Sequence, residues 1–474
     1  MKKSELNKKS SEYREGTRFI IVLCVIGFLF LSVIGYLTYL ELLGKQKFMD
    51  NAYNQRQWAQ EEKVLRGEIY DRDGERLAYS EYEGENSQKR IYPYKNLYSH
   101  VIGYNSRVYG KSGLELAFNK NLSGTKGVAG ITLSGEKTGD TVELTLSHRL
   151  QTRARDLLGK NNGAVVAIEP KTGEILCLYG YPDFDPNDNY LRENWDKLTG
   201  DEEAPFLPRA LSGLYTPGSV MKVITACAAV ENGLSDFTYE DKGEIEVDGK
   251  TFKNSRGKAH GEIDLEKALT VSSNAGFIAL SELLGEKSLK EYAGKFRFDE
   301  KIEFELSAET PKFGYDNKMS KTELASAAIG QGKILTTPLH MAVVCATVAN
   351  KGVVMKPYIV EKAVASNGIT TYNGKSEIIS RAIAPSTAAL VTEYMKSVVE
   401  SGTGAGAKLS NVSVAGKTGT AETGDGLNDH SWFIGFAPAD NPTIAVAVVL
   451  EHGGYGGGVS AAPIAREIIK TWLK

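Results

Sequence analysis

The sequence predicts an α+β protein, a domain of antiparallel sheet and helical block preceded by a small β-rich pedestal and one transmembrane helix. Three observations carry this. An uncharged apolar run fills Phe19 to Leu40. A polar, Gly-rich stretch with short β-like runs follows as far as about Lys160. From about Gly163, apolar strands, a block of helical patterns, further strands and a closing helix succeed one another, an order that marks segregated rather than alternating elements.

At 474 residues the chain exceeds one ordinary core, since domains usually run about 100–200 residues. Hydrophobic residues at 42% and charged residues at 24% exclude a disordered or collagen-like chain. A formal net charge of -3 leaves no basic footprint for nucleic acid. Cys24, Cys177, Cys227 and Cys345 lie far apart, with no CxxC or Cys/His spacing. Neither a metal site nor a disulfide framework is expected from them.

The run Phe19–Leu40 is long enough to cross the hydrocarbon core as a helix. Lys2, Lys3, Lys8, Lys9, Arg14 and Arg18 precede it, and such an excess of positive charge holds an N-terminus in the cytoplasm. Residues 1–18 are thus the expected cytoplasmic tail, with everything after Leu40 extracytoplasmic. A cleaved signal peptide competes with this, but its apolar region usually spans about 7–15 residues, and Tyr36-Leu37-Thr38-Tyr39-Leu40 offers no small-residue cleavage site.

Residues 41–160 form the expected pedestal, with strands around Gly67–Tyr70 and Thr141–Leu146 set between turn residues. Residues 161–474 form the main domain. Ala164–Ile168 and Ile175–Tyr179 flank the turn Pro170–Gly173 and read as a hairpin. Helical stretches are expected over Ser219–Asn232, Leu265–Leu284, Thr337–Asn350 and Thr387–Glu400. Ser413–Thr420, Trp432–Phe436 and Thr443–Leu450 can pair as an antiparallel meander, closed by a helix over Ala462–Leu473.

A serine followed by lysine at i+3 puts both side chains on one helix face, where a neutral lysine can take the serine proton. Ser123/Lys126, Ser134/Lys137, Ser219/Lys222 and Ser255/Lys258 all fit. Only Ser219 follows a turn, Thr216-Pro217-Gly218, and opens an apolar helix; its bland alternative is a helix N-cap. Lys-Thr-Gly occurs at residues 137–139, 171–173 and 417–419. The first two read as hairpin turns. The third lies in a strand whose glycines let a substrate backbone approach its edge, or else is an edge strand guarded by a lysine. Ser272-Ser273-Asn274 is the Ser-x-Asn of the helical block, or a polar break between helices.

Together, in this order, the three motifs resemble the penicillin-binding protein and serine β-lactamase superfamily. The resemblance to class B (monofunctional) penicillin-binding proteins extends over nearly the whole chain. It includes Arg66–Gly74, Gly113-Leu114-Glu115, Tyr181–Asn187, Gly330-Gln331-Gly332 and Trp432–Pro438. It implies a β-lactamase-like transpeptidase domain that cross-links peptidoglycan stem peptides and is acylated by β-lactams, without a cofactor. In that resemblance Ser219 attacks the penultimate D-Ala carbonyl with Lys222 as base. Ser272 relays a proton to the leaving D-Ala, Asn274 holds the peptide amide, and Lys417 biases the local field. Thr418 and Thr420 receive the substrate carboxylate along the edge that Gly419 leaves open. The N–H groups of Ser219 and Thr420 form the oxyanion hole. No stretch has room for a glycosyltransferase, so the resemblance also implies a separate polytopic membrane glycan polymerase as partner.

Three rival readings share the nucleophile. A β-lactamase needs a deacylating base, and no Glu-x-x-Leu-Asn lies between Ser272 and Lys417. A non-enzymatic β-lactam sensor needs a signalling domain, for which the short cytoplasmic tail has no room. A D,D-carboxypeptidase, with water as acceptor, stays open.

Overall fold

Helix α1 (Lys2–Tyr39) takes in most of the apolar run, and Ile21, Phe28 and Phe30 stand exposed along it. The side chains of Phe19, Leu37, Tyr39 and Leu40 lie outside those described, and among the described residues no helix is long and apolar enough to cross a membrane. The structure is a computed structural model that describes residues 2–39, 58, 61–84, 87–124, 138–423, 426–454 and 456–474. It divides into two compact units, one within Met1–Gln60 together with Arg107–Gly110, the other Glu61–Ser106 with Lys111–Lys474.

In the second unit the chain begins with strands β1 (Ile69–Tyr70), β2 (Arg76–Tyr82), β3 (Gln88–Ile91) and β4 (Thr141–Leu144). The expected strands around Gly67–Tyr70 and Thr141–Leu146 are therefore present but shorter, and they pair in parallel, Ile69 opposite Val142. The hairpin β5 (Gly163–Ile168) and β6 (Ile175–Tyr181) turns where the sequence places it, with Ala167 opposite Cys177. Helix α2 (Lys222–Glu231) follows, then short strands β7 (Thr238–Asp241), β8 (Glu244–Val247), β9 (Lys250–Lys253) and β10 (Gly261–Asp264).

The single helical stretch expected over Leu265–Leu284 is two helices, α3 (Leu265–Val271) and α4 (Asn274–Lys295). Ser272 ends the first in the left-handed region (φ 58, ψ 41), and Ser273 caps the second by accepting from the Gly276 amide at 2.9 Å. Serine hydroxyls compete for backbone donors, so they favour caps over helix interiors.

Helix α5 (Pro338–Ala349), strands β11 (Val360–Val364) and β12 (Thr370–Asn373) and helix α6 (Pro385–Ser401) lead into the meander β13 (Ala415–Ala421), β14 (His430–Ala437) and β15 (Ile444–Leu450). Helix α7 (Ala461–Trp472) closes the chain. The main sheet runs β13-β14-β15-β5-β6, antiparallel throughout. Strand β15 is buried at every position, as an unbroken apolar run must be when both faces of a sheet are covered. Helices α5 and α7 both pack on it. Trp432, Phe433 and Phe436 of β14 are fully buried, each contributing about 1.5–3 kcal/mol. A second, six-stranded sheet runs β12-β11-β4-β1-β2-β3. Two of its strands come from beyond residue 161, with Val360 opposite Leu144.

Candidate active site

Strand β13 is the outer strand of the main sheet, and the turn before α2 lies against it. Residues Gly218–Met221 form a 3₁₀ turn in which Ser219 is half-buried. Four contacts fix this turn. The Gly218 amide donates to the Gly330 carbonyl at 2.9 Å, and Tyr215 exchanges backbone bonds of 2.9 and 2.8 Å with Thr336. The Trp432 indole donates to the Thr216 carbonyl at 3.1 Å. Gly218 adopts φ 56, and a Cβ there would collide with the Thr420 carbonyl of β13. Gly330, at φ 74, sits so close to the Gly218 carbonyl that it too has no room for a Cβ. The Gly330-Gln331-Gly332 segment thus buttresses the turn that carries Ser219.

One turn beyond Ser219, Lys222 is fully buried. Its amine donates to the Asn274 Oδ1 at 2.7 Å and the Ser272 carbonyl at 2.8 Å, with Ser272 Oγ at 3.4 Å. The left-handed conformation of Ser272 brings its carbonyl to this amine. Burial, and then the like charge of Lys417, push Lys222 well below the ordinary lysine range, while Asp241 acts in the opposite sense. A neutral amine has two hydrogens and one lone pair. Two acceptors that cannot donate, a carbonyl and an amide oxygen, hold the hydrogens and leave the lone pair free.

Lys417 on β13 is also fully buried, and burial lowers it to about 7. It donates to Ser272 Oγ and to the Thr418 carbonyl, both at 2.9 Å. Ser272 Oγ therefore lies between the two amines. Asn274 is fixed at its other end by donating Nδ2 to the Lys253 carbonyl at 2.8 Å. Along β13, Thr418 is buried and Thr420 exposed. Gly419, facing Pro217 and Val220, has no room for a Cβ that its neighbours would not have to yield to.

The structure brings Lys222, Ser272, Asn274 and Lys417 together through hydrogen bonds, with Ser219, Thr418, Gly419 and Thr420 on the adjoining turn and strand. Of the other Ser/Lys pairs, Ser255 and Lys258 are both exposed at a short turn. Lys126, Ser134 and Lys137 lie outside the described residues. Lys171-Thr172-Gly173 is the hairpin turn between β5 and β6. Sequence reasoning missed Thr403, whose hydroxyl meets that of Thr418 at 2.7 Å. It also missed Asp241 and Asn254 behind Asn274. Among the described residues no group of three or more His, Cys, Asp or Glu fits a metal ion.

Residues 163–470 match the penicillin binding protein transpeptidase domain. The chain belongs to the penicillin-binding protein transpeptidase family. Residues 66–137 of this family member also match the penicillin binding protein A dimerisation domain. It is 34% identical over 455 residues to the peptidoglycan D,D-transpeptidase PbpA of Mycolicibacterium smegmatis, covering 89% of this chain and 91% of the relative. To the peptidoglycan D,D-transpeptidase MrdA of Acinetobacter baumannii it is 30% identical over 450 residues, 82% of this chain and 66% of the relative. The ceftriaxone acyl-enzyme of penicillin-binding protein A from M. tuberculosis superposes with a TM-score of 0.82 at 32% identity, covering 87% and 99% of the two chains. The fold, the ordered motifs and the penicillin-binding family coincide in one chain.

Proposed function

We propose that this chain is a class B peptidoglycan D,D-transpeptidase working through a Ser219 acyl-enzyme. The observation that carries the mechanism is the Lys222 amine, buried one turn from Ser219 with both hydrogens engaged by acceptors. Ser219 Oγ attacks the penultimate D-Ala carbonyl and its proton passes to Lys222 Nζ. The oxyanion faces the amides of Ser219 and Thr420. Ser272, between the two amines, relays a proton to the departing D-Ala. Asn274 holds the donor peptide amide, Lys417 sets the field, and Thr418, Gly419 and Thr420 receive the carboxylate end. The acceptor amine of a second stem peptide then forms the cross-link, and β-lactams stop at the first stage.

The partition that goes with this reading is a cytoplasmic tail (1–18), a membrane helix (19–40), an extracytoplasmic pedestal (41–160) and a transpeptidase domain (161–474). The exposed apolar side chains along α1 support the membrane helix. A polytopic glycan polymerase in the same membrane would supply the strands to be joined.

Intact-mass measurement tests the acyl-enzyme. After exposure to penicillin and removal of the excess, the protein should carry one drug mass, absent from Ser219→Ala and persisting for many minutes. Rapid return to the free mass with hydrolysed drug accumulating would replace a transpeptidase by a lactamase. A stem-peptide mimic with and without an acceptor amine then distinguishes cross-linking from carboxypeptidase activity.

The acylation rate constant should also trace a bell against pH, since the free enzyme needs one lysine neutral and the other charged. Toward acid it falls as Lys222 takes a proton. On the alkaline side it falls as Lys417, at about 7, loses its own. A rate still rising steadily above pH 8 would remove the cationic role from Lys417.

A further inference from the structure

Asp241 closes strand β7 with 1% of its surface exposed. Among the described residues its carboxylate is held by neutral donors: Ser273 Oγ at 2.7 Å, the Gly243 amide at 2.8 Å, and Asn254 Nδ2 at 2.8 Å from each oxygen. Asn254 is equally committed. Its Nδ2 also donates to the Lys258 carbonyl at 2.9 Å, and its Oδ1 accepts from the amides of Asn274 at 2.8 Å and Ala275 at 3.0 Å. Ser273 Oγ accepts from Gly276 and gives its own proton to Asp241. Three of the orphan amides that open α4 are thereby satisfied, and every path ends on one carboxylate.

A carboxylate whose hydrogen bonds all come from neutral donors is an expensive group to bury, and a neutral acceptor could cap a helix at lower cost. Its neighbours give the reason for a charge. The residues it clamps sit directly beside Ser272 and Asn274, whose carbonyl and Oδ1 receive the Lys222 amine. We propose that Asp241 is a positioning residue for acylation: through Ser273 and Asn254 it fixes the turn that aims those two acceptors at Lys222. This rests on the reading of Ser219 and Lys222 as the reacting pair.

The titratable groups facing Asp241 are Lys222 on α2, Tyr239 on β7 itself and His260 ahead of β10, while Lys417 on β13 faces Lys222. Asp241 opposes the burial and the like charge that weaken Lys222 as a base. Removing its charge should move the protonation of Lys222 to lower pH, a readout that a purely structural cap would leave alone.

The test compares acylation by a fluorescent penicillin across pH in the wild-type protein, Asp241→Asn and Ser273→Ala, with labelled amplitude scored separately from rate. Asp241→Asn should lower the rate constant at least about tenfold near neutral pH and move the acid limb to lower pH. Ser273→Ala should lower the rate while leaving the limb in place, because the carboxylate remains. Rate constants within twofold of wild type in both variants overturn the proposal, as does a loss confined to the labelled amplitude. If Asp241→Asn does not fold, Ser273→Ala decides alone: a slower folded variant supports the clamp, an unchanged one removes it. A wild-type protein that fails to label contradicts the Ser219 reading instead.

Discussion

Replacing Lys222 with alanine is expected to lower the acylation rate by about two to four powers of ten, the span typical of losing a positioned general base. The folded protein should persist, since the change empties one buried position without introducing charge. The Ser272 carbonyl and Asn274 Oδ1 lose their donor, so a fall in melting temperature should accompany the loss of rate. Stopped-flow labelling with a fluorescent penicillin reads the rate and calorimetry the stability. Lys417→Ala should cost less, because its amine supports Ser272 rather than taking the serine proton. Ser255→Ala, at an exposed turn, should label as wild type. Wild-type labelling by Lys222→Ala would unseat Lys222 as the base.

Gly218→Ala is expected to lower acylation about a hundredfold, the scale on which a displaced reacting atom is felt. A left-handed residue with a Cβ costs about 1–2 kcal/mol by itself, but here the added carbon also meets the Thr420 carbonyl. Ser219 and Thr420, whose amides would both face the oxyanion, are pushed apart by the same atom. Gly233→Ala separates the two effects. Gly233 also has positive φ, at 74, but nothing lies within 4 Å of its absent Cβ. It should lose stability while labelling at the wild-type rate. Equal labelling rates in the two alanine variants would show that the close approach at Gly218 does not matter.

The hairpin at residues 163–181, the late meander and the closing helix were legible because their apolar runs and turn residues are local signals. The motif residues were legible through spacing and order, and the structure joins Lys222, Ser272, Asn274 and Lys417 by hydrogen bonds. The break at Ser272 was hidden by the apolar periodicity that continues from α3 into α4. Asp241 was hidden for another reason: within Thr238-Tyr239-Glu240-Asp241-Lys242-Gly243-Glu244 it reads as one more solvated charge. Only the packing of Ser273 and Asn254 around it shows that it is buried. Thr403 gives no sign of its meeting with Thr418, since a hydroxyl pair across two segments leaves no periodic trace. The pairing of β11 with β4 was invisible in the same way, because short strands carry no label for a distant partner.

That pairing governs the order in which the molecule can be completed. The Thr145 amide donates to the carbonyl of Ile359 at 2.9 Å, 214 residues further along the chain. A polypeptide delivered from its N-terminus therefore emerges with β1 to β4 paired among themselves and β4 lacking its second neighbour until residues 360–364 have arrived. Long-range closure of this kind slows folding, and in the interval the outer edge of β4 offers unpaired backbone groups to any other extended chain. Assembly is safest where such chains are scarce, and the capture of β11 covers that edge and ties the early strands to the half of the protein that carries Ser219.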